Sequence, residues 1–265
     1  MNNAELHILT EYSPYSMGFV IITKDDRAII IDGGRFQELD NVASHVGNRE
    51  VAAWILTHPD GDHIGAITDA MKHSHPLIAA TKTFIYNFHS VEFCAKWGHA
   101  GDLIRFEKYN APILNRVTKV KEGDEFDIDG LQFEILFSRD EKFTQNVTND
   151  SSLVFRVTGE KSSVLFLGDL GPIAGDELLK KNGAALKTDV VQMAHHGHCC
   201  VGKEVYEAIA PRACIWCAQP WLYREPAEVE YGPRMYGTGL TRRWMRELGV
   251  REHYVTGDGD QVIII

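Results

Sequence analysis

Short apolar runs along the chain alternate with segments of helical spacing, which predicts an α/β protein. Residues 19–22 (FVII) and 28–31 (AIII) flank the turn Lys24-Asp25-Asp26-Arg27 and predict a hairpin of buried strands. Residues 51–56 (VAAWIL) are continuously apolar, as in a strand covered on both faces. Behind them Ile64, Ile67, Ala70 and Met71 recur at helical spacing, so a helix is expected from about Asp62 to about His73. A helix is also expected over 37–46, a strand over 79–86 and an aromatic-rich helix over 89–108. Residues 117–137 predict three strands separated by Gly-Asp and Asp-Gly turns. Further strands are expected at 152–157, 163–167, 189–193 and 213–218, with a short helix at 241–248 and a closing hairpin at 252–265. Residues 219–237, with three prolines and several aromatics, read as a surface loop.

Composition narrows this picture without changing it. The 265 residues show no flexible linker, so one domain spanning 1–265 is expected. A formal charge of −10 opposes a surface that grips duplex nucleic acid by its phosphates. No apolar run of ~18 residues predicts a membrane span, and the polar N-terminus lacks the apolar centre of a signal peptide. Five cysteines, an odd number without a scaffold-like spacing, point to the cytoplasm. In 213–218, Cys214 and Cys217 should face opposite sides of a strand, which argues against a two-cysteine metal site. His89, Cys94 and His99 are spaced by five and do not share a helix face, so structural or substrate-facing roles are expected for them.

The chemistry concentrates in residues 57–65, T-H-P-D-G-D-H-I-G. His58, Asp60, Asp62 and His63 place four metal-binding side chains within six residues, at a strand-to-helix junction. Asp62 alone could be a helix cap, but that leaves both histidines unexplained. Three other strand ends carry polar groups: Asp32-Gly33-Gly34, Gly168-Asp169 and His195-His196. Consecutive histidines after an apolar strand are rarely core residues, because both ring nitrogens need partners.

The sequence His58-x-Asp60-x-Asp62-His63 resembles the H-x-[HD]-x-D-H signature of the metallo-β-lactamase superfamily. Its second-position aspartate is most similar to the hydrolase domain of ComEC/Rec2-type DNA-uptake proteins, whose cadence around 119–136 is also present. The resemblance implies a four-layer αββα sandwich and a two-metal site held by His58, Asp60, Asp62, His63, Asp169 and His195. Asp169 would bridge both ions, and Asp32 would hydrogen-bond a ligand histidine. Asp62 and His196 are expected at the chemistry, His196 moving a proton, because neighbours on an extended segment face opposite ways and only one histidine should reach an ion. Many members carry another histidine where this chain reads Asn149-Asp150-Ser151-Ser152. Asn149 and Ser151 would contact substrate or bind backbone there. The H-H-G-S motif of the family has His198 in place of serine.

Three aspartates leave a one-metal cluster at −1 and a two-metal cluster at +1, so two divalent ions suit an anionic substrate. The carboxylate-rich set makes Mn²⁺ a competitor to Zn²⁺. The expected activity is hydrolysis of a phosphodiester in a nucleotide or short single strand, by a hydroxide activated on the metals. Ester, lactone or amide hydrolysis and a non-catalytic metal-binding regulator are the alternatives.

Overall fold

In the computed structural model, which describes residues 3–198, 200–224 and 237–265, the apolar runs pair into two seven-stranded mixed sheets. The first holds β1 (Glu5–Ile8), β2 (Gly18–Ile22), β3 (Ala28–Asp32), β4 (Val51–Ile55), β5 (Thr81–Ile85) and β6 (Val117–Thr118), side by side in chain order. The second holds β7 (Glu125–Ile128), β8 (Leu131–Phe137), β9 (Val154–Thr158), β10 (Ser163–Phe166), β11 (Val190–Gln192), β12 (Ala213–Trp216) and β13 (Glu252–Val255). The last strand, β14 (Gln261–Ile264), returns to the first sheet beside β1.

Alternation along the strands builds the layers. Phe19, Ile21, Ile29, Ile31 and Ile55 of the first sheet meet Phe133, Phe155, Phe166 and Ile215 of the second in the central core. The opposite face of the first sheet, with Val20, Ile30, Trp54 and Phe84, packs under α1 (Leu39–Val46), α2 (Gly61–Lys72), α3 (Pro76–Ala80), α4 (Val91–Trp97) and α5 (Gly101–Tyr109). The outer face of the second packs under α6 (Pro172–Asn182), α7 (Lys203–Ile209), α8 (Pro220–Tyr223) and α9 (Gly239–Glu247). The result is the αββα sandwich. Both faces of β2, β3 and β4 are covered, which is why their sequences are apolar throughout. Cys214 faces the outer layer and Cys217 the central core. Among the described residues no helix is long and apolar enough to cross a membrane.

Several elements differ from the sequence reading. The polar N-terminus contains β1, whose Leu6 and Ile8 are buried while Glu5 and His7 are half-buried. The strand expected over 79–86 begins only at Thr81, because His75 caps the short helix α3 ahead of it. The helix expected over 89–108 is two helices, broken at Gly98 with φ −170° and ψ −128°. Residues 252–265 are not a hairpin. A 3-10 turn at Thr256–Asp258 and Gly259 with φ +110° send β13 and β14 into different sheets. Helices α6 and α7 were not anticipated. Of the expected loop at 219–237, residues 220–223 form α8, and 225–236 lie outside the described residues.

Strand direction then positions the site. β3 and β4 are parallel neighbours, as are β10 and β11. The two pairs end at one edge of the sandwich, where Leu153 N donates to Thr57 O at 2.8 Å across the sheets.

Candidate metal centre

Each candidate side chain sits where a buried strand gives way to a turn. His58 and Asp60 follow β4, while Asp62 and His63 lie in the first turn of α2. Asp60 occupies the position before the helix but makes no capping hydrogen bond, and Asp62 is past the cap. Neither carboxylate is used to start the helix. Asp169 follows β10, and His195 and His196 follow β11.

These residues converge on Asp169. His63 Nε2 lies 3.1 Å from Asp169 Oδ1, and His58 Nε2 lies 3.8 Å from its Oδ2. His195 Nε2 and His196 Nε2 are 3.6 and 3.4 Å from the same Oδ2. Asp60 and Asp62 close the ring, with Asp60 Oδ2 at 3.7 Å from His58 Nε2 and Asp62 Oδ2 at 3.8 Å from His196 Nε2. Nitrogens of His58 and His63 and an oxygen of Asp169 all lie within 4.8 Å of one another, and all three residues are buried.

The hydrogen-bonding account is incomplete in a specific way. His58 Nε2, His63 Nε2, His196 Nε2 and Asp169 Oδ1 are buried without a hydrogen-bond partner. Four such orphans in one place are costly unless something else binds them. Their other atoms are well held. Asp32 Oδ1 accepts from Thr57 N at 2.7 Å, and its Oδ2 accepts from Thr57 Oγ1 and from His63 Nδ1, both at 2.8 Å. His58 Nδ1 lies 3.1 Å from Thr57 Oγ1, and His196 Nδ1 3.0 Å from the Cys217 carbonyl. Each of these imidazoles thus has its outer nitrogen engaged and its inner nitrogen turned to the cluster, the orientation a metal-binding histidine needs. The donor set therefore fits divalent cations.

Electrostatics tell the same story. Burial, reinforced by the neighbouring charge of His63, pushes His58 down to about 3. Burial next to Asp62 and Asp169 pushes Asp60 up to about 6. For His63, burial is outweighed by Asp169 and Asp32, which hold it well above the usual imidazole range. Burial of Asp169 is outweighed by His63, His196 and His195, which hold it well below the usual carboxylate range.

The histidine pair corrects the expectation that only one ring can face the cluster. His195 and His196 do not extend the strand. Both have left-handed backbone, with φ +49° and +58°, so the alternation of a strand does not apply and both rings turn toward Asp169. They differ in setting: His196 is 1% exposed, whereas His195 is 23% exposed at its side chain, with Nδ1 3.1 Å from Cys200 Sγ. His198 Nδ1 accepts from Gly237 N at 2.9 Å.

The 3-10 turn Asn149–Ser151 lies against Asp60, to which Thr148 Oγ1 donates at 3.3 Å. Ser151 turns its hydroxyl to Thr148 O at 2.7 Å, a backbone role. Asn149 Oδ1 is buried without a partner. Three residues escaped the sequence reading. Thr57 joins Asp32 to both loop histidines, and its place before His58 was the available signal. Arg35 Nη2 lies 3.4 Å from Asp62 Oδ2, and the Tyr15 ring packs at 5.5 Å from that of His196. Nothing local in the sequence marks either.

Both the sequence and the fold have known relatives. A sequence model described as Metallo-beta-lactamase superfamily matches residues 17–198, a span containing every candidate ligand. ComE operon protein 3 of Bacillus subtilis (strain 168) is 28% identical over 172 residues, 64% of this chain and 20% of that protein. This chain thus spans about a fifth of that relative's length. Among solved structures, the metallo-beta-lactamase fold protein YhfI from Bacillus subtilis superposes with a TM-score of 0.57 at 13% identity, covering 99% of this chain and all of that one. CmlA, a diiron beta-hydroxylase from Streptomyces venezuelae, gives 0.61 at 11% identity over 100% of this chain and 55% of that one. At these identities the structural likeness concerns the fold.

Proposed function

Because this chain belongs to the metallo-beta-lactamase superfamily, we propose that it is a two-metal hydrolase acting on the phosphodiester of a nucleotide or short single-stranded nucleic acid. The observation that carries the metal reading is the set of orphaned inner atoms on His58, His63, His196 and Asp169. In this reading His58, Asp60 and Asp169 hold one ion, while Asp62, His63, Asp169 and a histidine of the pair hold the other.

His196 takes that last place. Its outer nitrogen is committed to the Cys217 carbonyl, its inner one has no partner, and it is within 4 Å of both Asp62 and Asp169. The more open His195 then stands beside the substrate, where an imidazole can deliver a proton to the leaving oxygen, an effect worth roughly 10²–10⁴-fold. These are the roles expected from the sequence, exchanged. When bound, divalent ions supply an acidified water and a Lewis acid for the oxygen under attack. The protein's part is to orient the rings through Asp32 and Thr57 and to place Arg35 at the rim for an anionic group. Asn149, with its unsatisfied buried oxygen, is the candidate to meet substrate.

The phosphodiester preference is supported by the likeness to the ComEC-type domain and by the cationic balance of a two-metal cluster. Protein loaded with Zn²⁺ or Mn²⁺ should bind about two equivalents and cleave bis-p-nitrophenyl phosphate. Cleavage of ester or lactam chromogens alone would replace the substrate assignment. Saturation at one equivalent would remove the two-metal arrangement.

A further inference from the structure

Beyond the metal centre, we propose that a cavity of about 800 Å³ at the end of β5 binds a small molecule combining an aromatic ring with a single anionic group. None of the candidate metal ligands lines it, and the assignment stands whether or not the hydrolytic reading holds. β4 and β5 run parallel, with Leu56 N donating to Ile85 O at 2.9 Å, so residues 86–90 leave the sheet at the same edge as the metal loop.

One wall is aromatic. Tyr86, Phe88 and Phe106 pack with centroids 4.7 to 5.6 Å apart, and the His89 ring stacks on Phe93 at 4.4 Å. Such walls accept a flat ring by offset or edge contacts.

The other feature is a guanidinium without a counter-charge. Arg139 Nε donates to Asn87 Oδ1 at 3.0 Å, and Nη1 meets His89 Nδ1 at 3.2 Å. Arg139 has only donors, so His89 Nδ1 must accept and its single proton must sit on Nε2. Burial, with the adjacent Arg139 charge, holds His89 down to about 4 and keeps it neutral. This acidic chain has 37 carboxylate residues against 27 lysines and arginines. Arg27, Arg49, Arg105, Arg156 and Arg212 each have a carboxylate within 4.0 Å, yet among the described residues Arg139 has none. Asp140, its neighbour in sequence, pairs with Lys142 instead. A guanidinium held by two neutral partners presents its remaining N–H groups to a carboxylate or phosphonate. Glu107 and Glu141 also line the cavity, against Lys119. Those acids oppose a second negative charge and so disfavour an oligonucleotide strand.

The test uses the metal-loaded protein titrated calorimetrically with benzoate and phenylphosphonate, with acetate and benzamide as single-feature controls. The two aromatic anions should bind, and each control should bind at least tenfold more weakly. Arg139→Gln should weaken the aromatic anions roughly 10–100-fold, and Arg139→Lys by less. Asp169→Asn should leave their affinity within twofold. Unchanged affinity in a folded Arg139→Gln or Arg139→Lys variant would overturn the assignment. So would loss of binding in Asp169→Asn, which would put the probes on the metals, equal affinity for acetate and benzoate, or no binding by either aromatic anion.

Discussion

Asp32→Asn isolates the group that aims the metal-facing histidines. The carboxylate is fully buried and receives three hydrogen bonds, from Thr57 N, Thr57 Oγ1 and His63 Nδ1. Through the Thr57 hydroxyl it also reaches His58 Nδ1. An asparagine whose oxygen keeps Thr57 N must point its NH₂ at the other two groups. The threonine hydroxyl can rotate to accept, but His63 cannot donate to a donor. For Nδ1 to accept instead, the ring must keep its one proton on Nε2, the atom a metal would bind, or else turn away. Two hydrogen bonds to a charged acceptor are at stake, each worth about 1.5–3 kcal/mol. With the threonine partly compensating, metal-free protein should lose about 2–4 kcal/mol in urea unfolding. Metal affinity, measured by competition with a chromogenic chelator, should fall about 10–100-fold, as for other groups that orient a ligand histidine. Affinity within twofold of wild type, in a variant whose unfolding midpoint is also unchanged, would refute the argument.

Three further outcomes follow from the geometry. His196→Ala should strip one metal equivalent, whereas His195→Ala should keep both metals and lower turnover; elemental analysis beside steady-state rates distinguishes this from the reverse. Asp150 is buried with Gly171 N as its hydrogen-bond donor, and burial raises it to about 6. The folded value exceeds the unfolded one, so its ionisation costs nothing below about pH 4 and costs up to about 3 kcal/mol above pH 6. Asp150→Asn should therefore match wild type in unfolding free energy near pH 4 and exceed it at pH 8; a pH-independent difference would contradict the assignment. At Gly65 a methyl group would come within 2.7 Å of Phe36 N and 2.8 Å of Arg35 Cα, both backbone. Gly65→Ala should cost about 1–3 kcal/mol in thermal unfolding and weaken metal binding, because α2 can relieve the contact only by moving Asp62 and His63; no change in either would show that the contact relaxes freely.

The metal loop was legible from sequence because its chemistry is local. Four donors within six residues at a strand-to-helix junction need no tertiary information to be noticed, and Asp169 and the histidine pair announce themselves as polar residues ending apolar runs. The layers were legible for a similar reason: strands covered on both faces must be apolar throughout, as 19–22, 28–31 and 51–55 are. The weak strand β1 escaped because only Leu6 and Ile8 are buried in it, and two residues set no period. What tertiary structure decided is how distant backbones aim side chains. The orientation of His195 and His196 depends on two left-handed residues, a conformation that non-glycine residues adopt only when the surrounding structure compels it. Asp32 reaches His63 across 31 residues and Arg139 reaches His89 across 50. The first meeting exists because the parallel strands β3 and β4 deliver their ends to one edge, and the second because the ends of β5 and β8, in different sheets, come together there; pairing and layering of this kind are properties of chain topology that no short stretch of sequence contains.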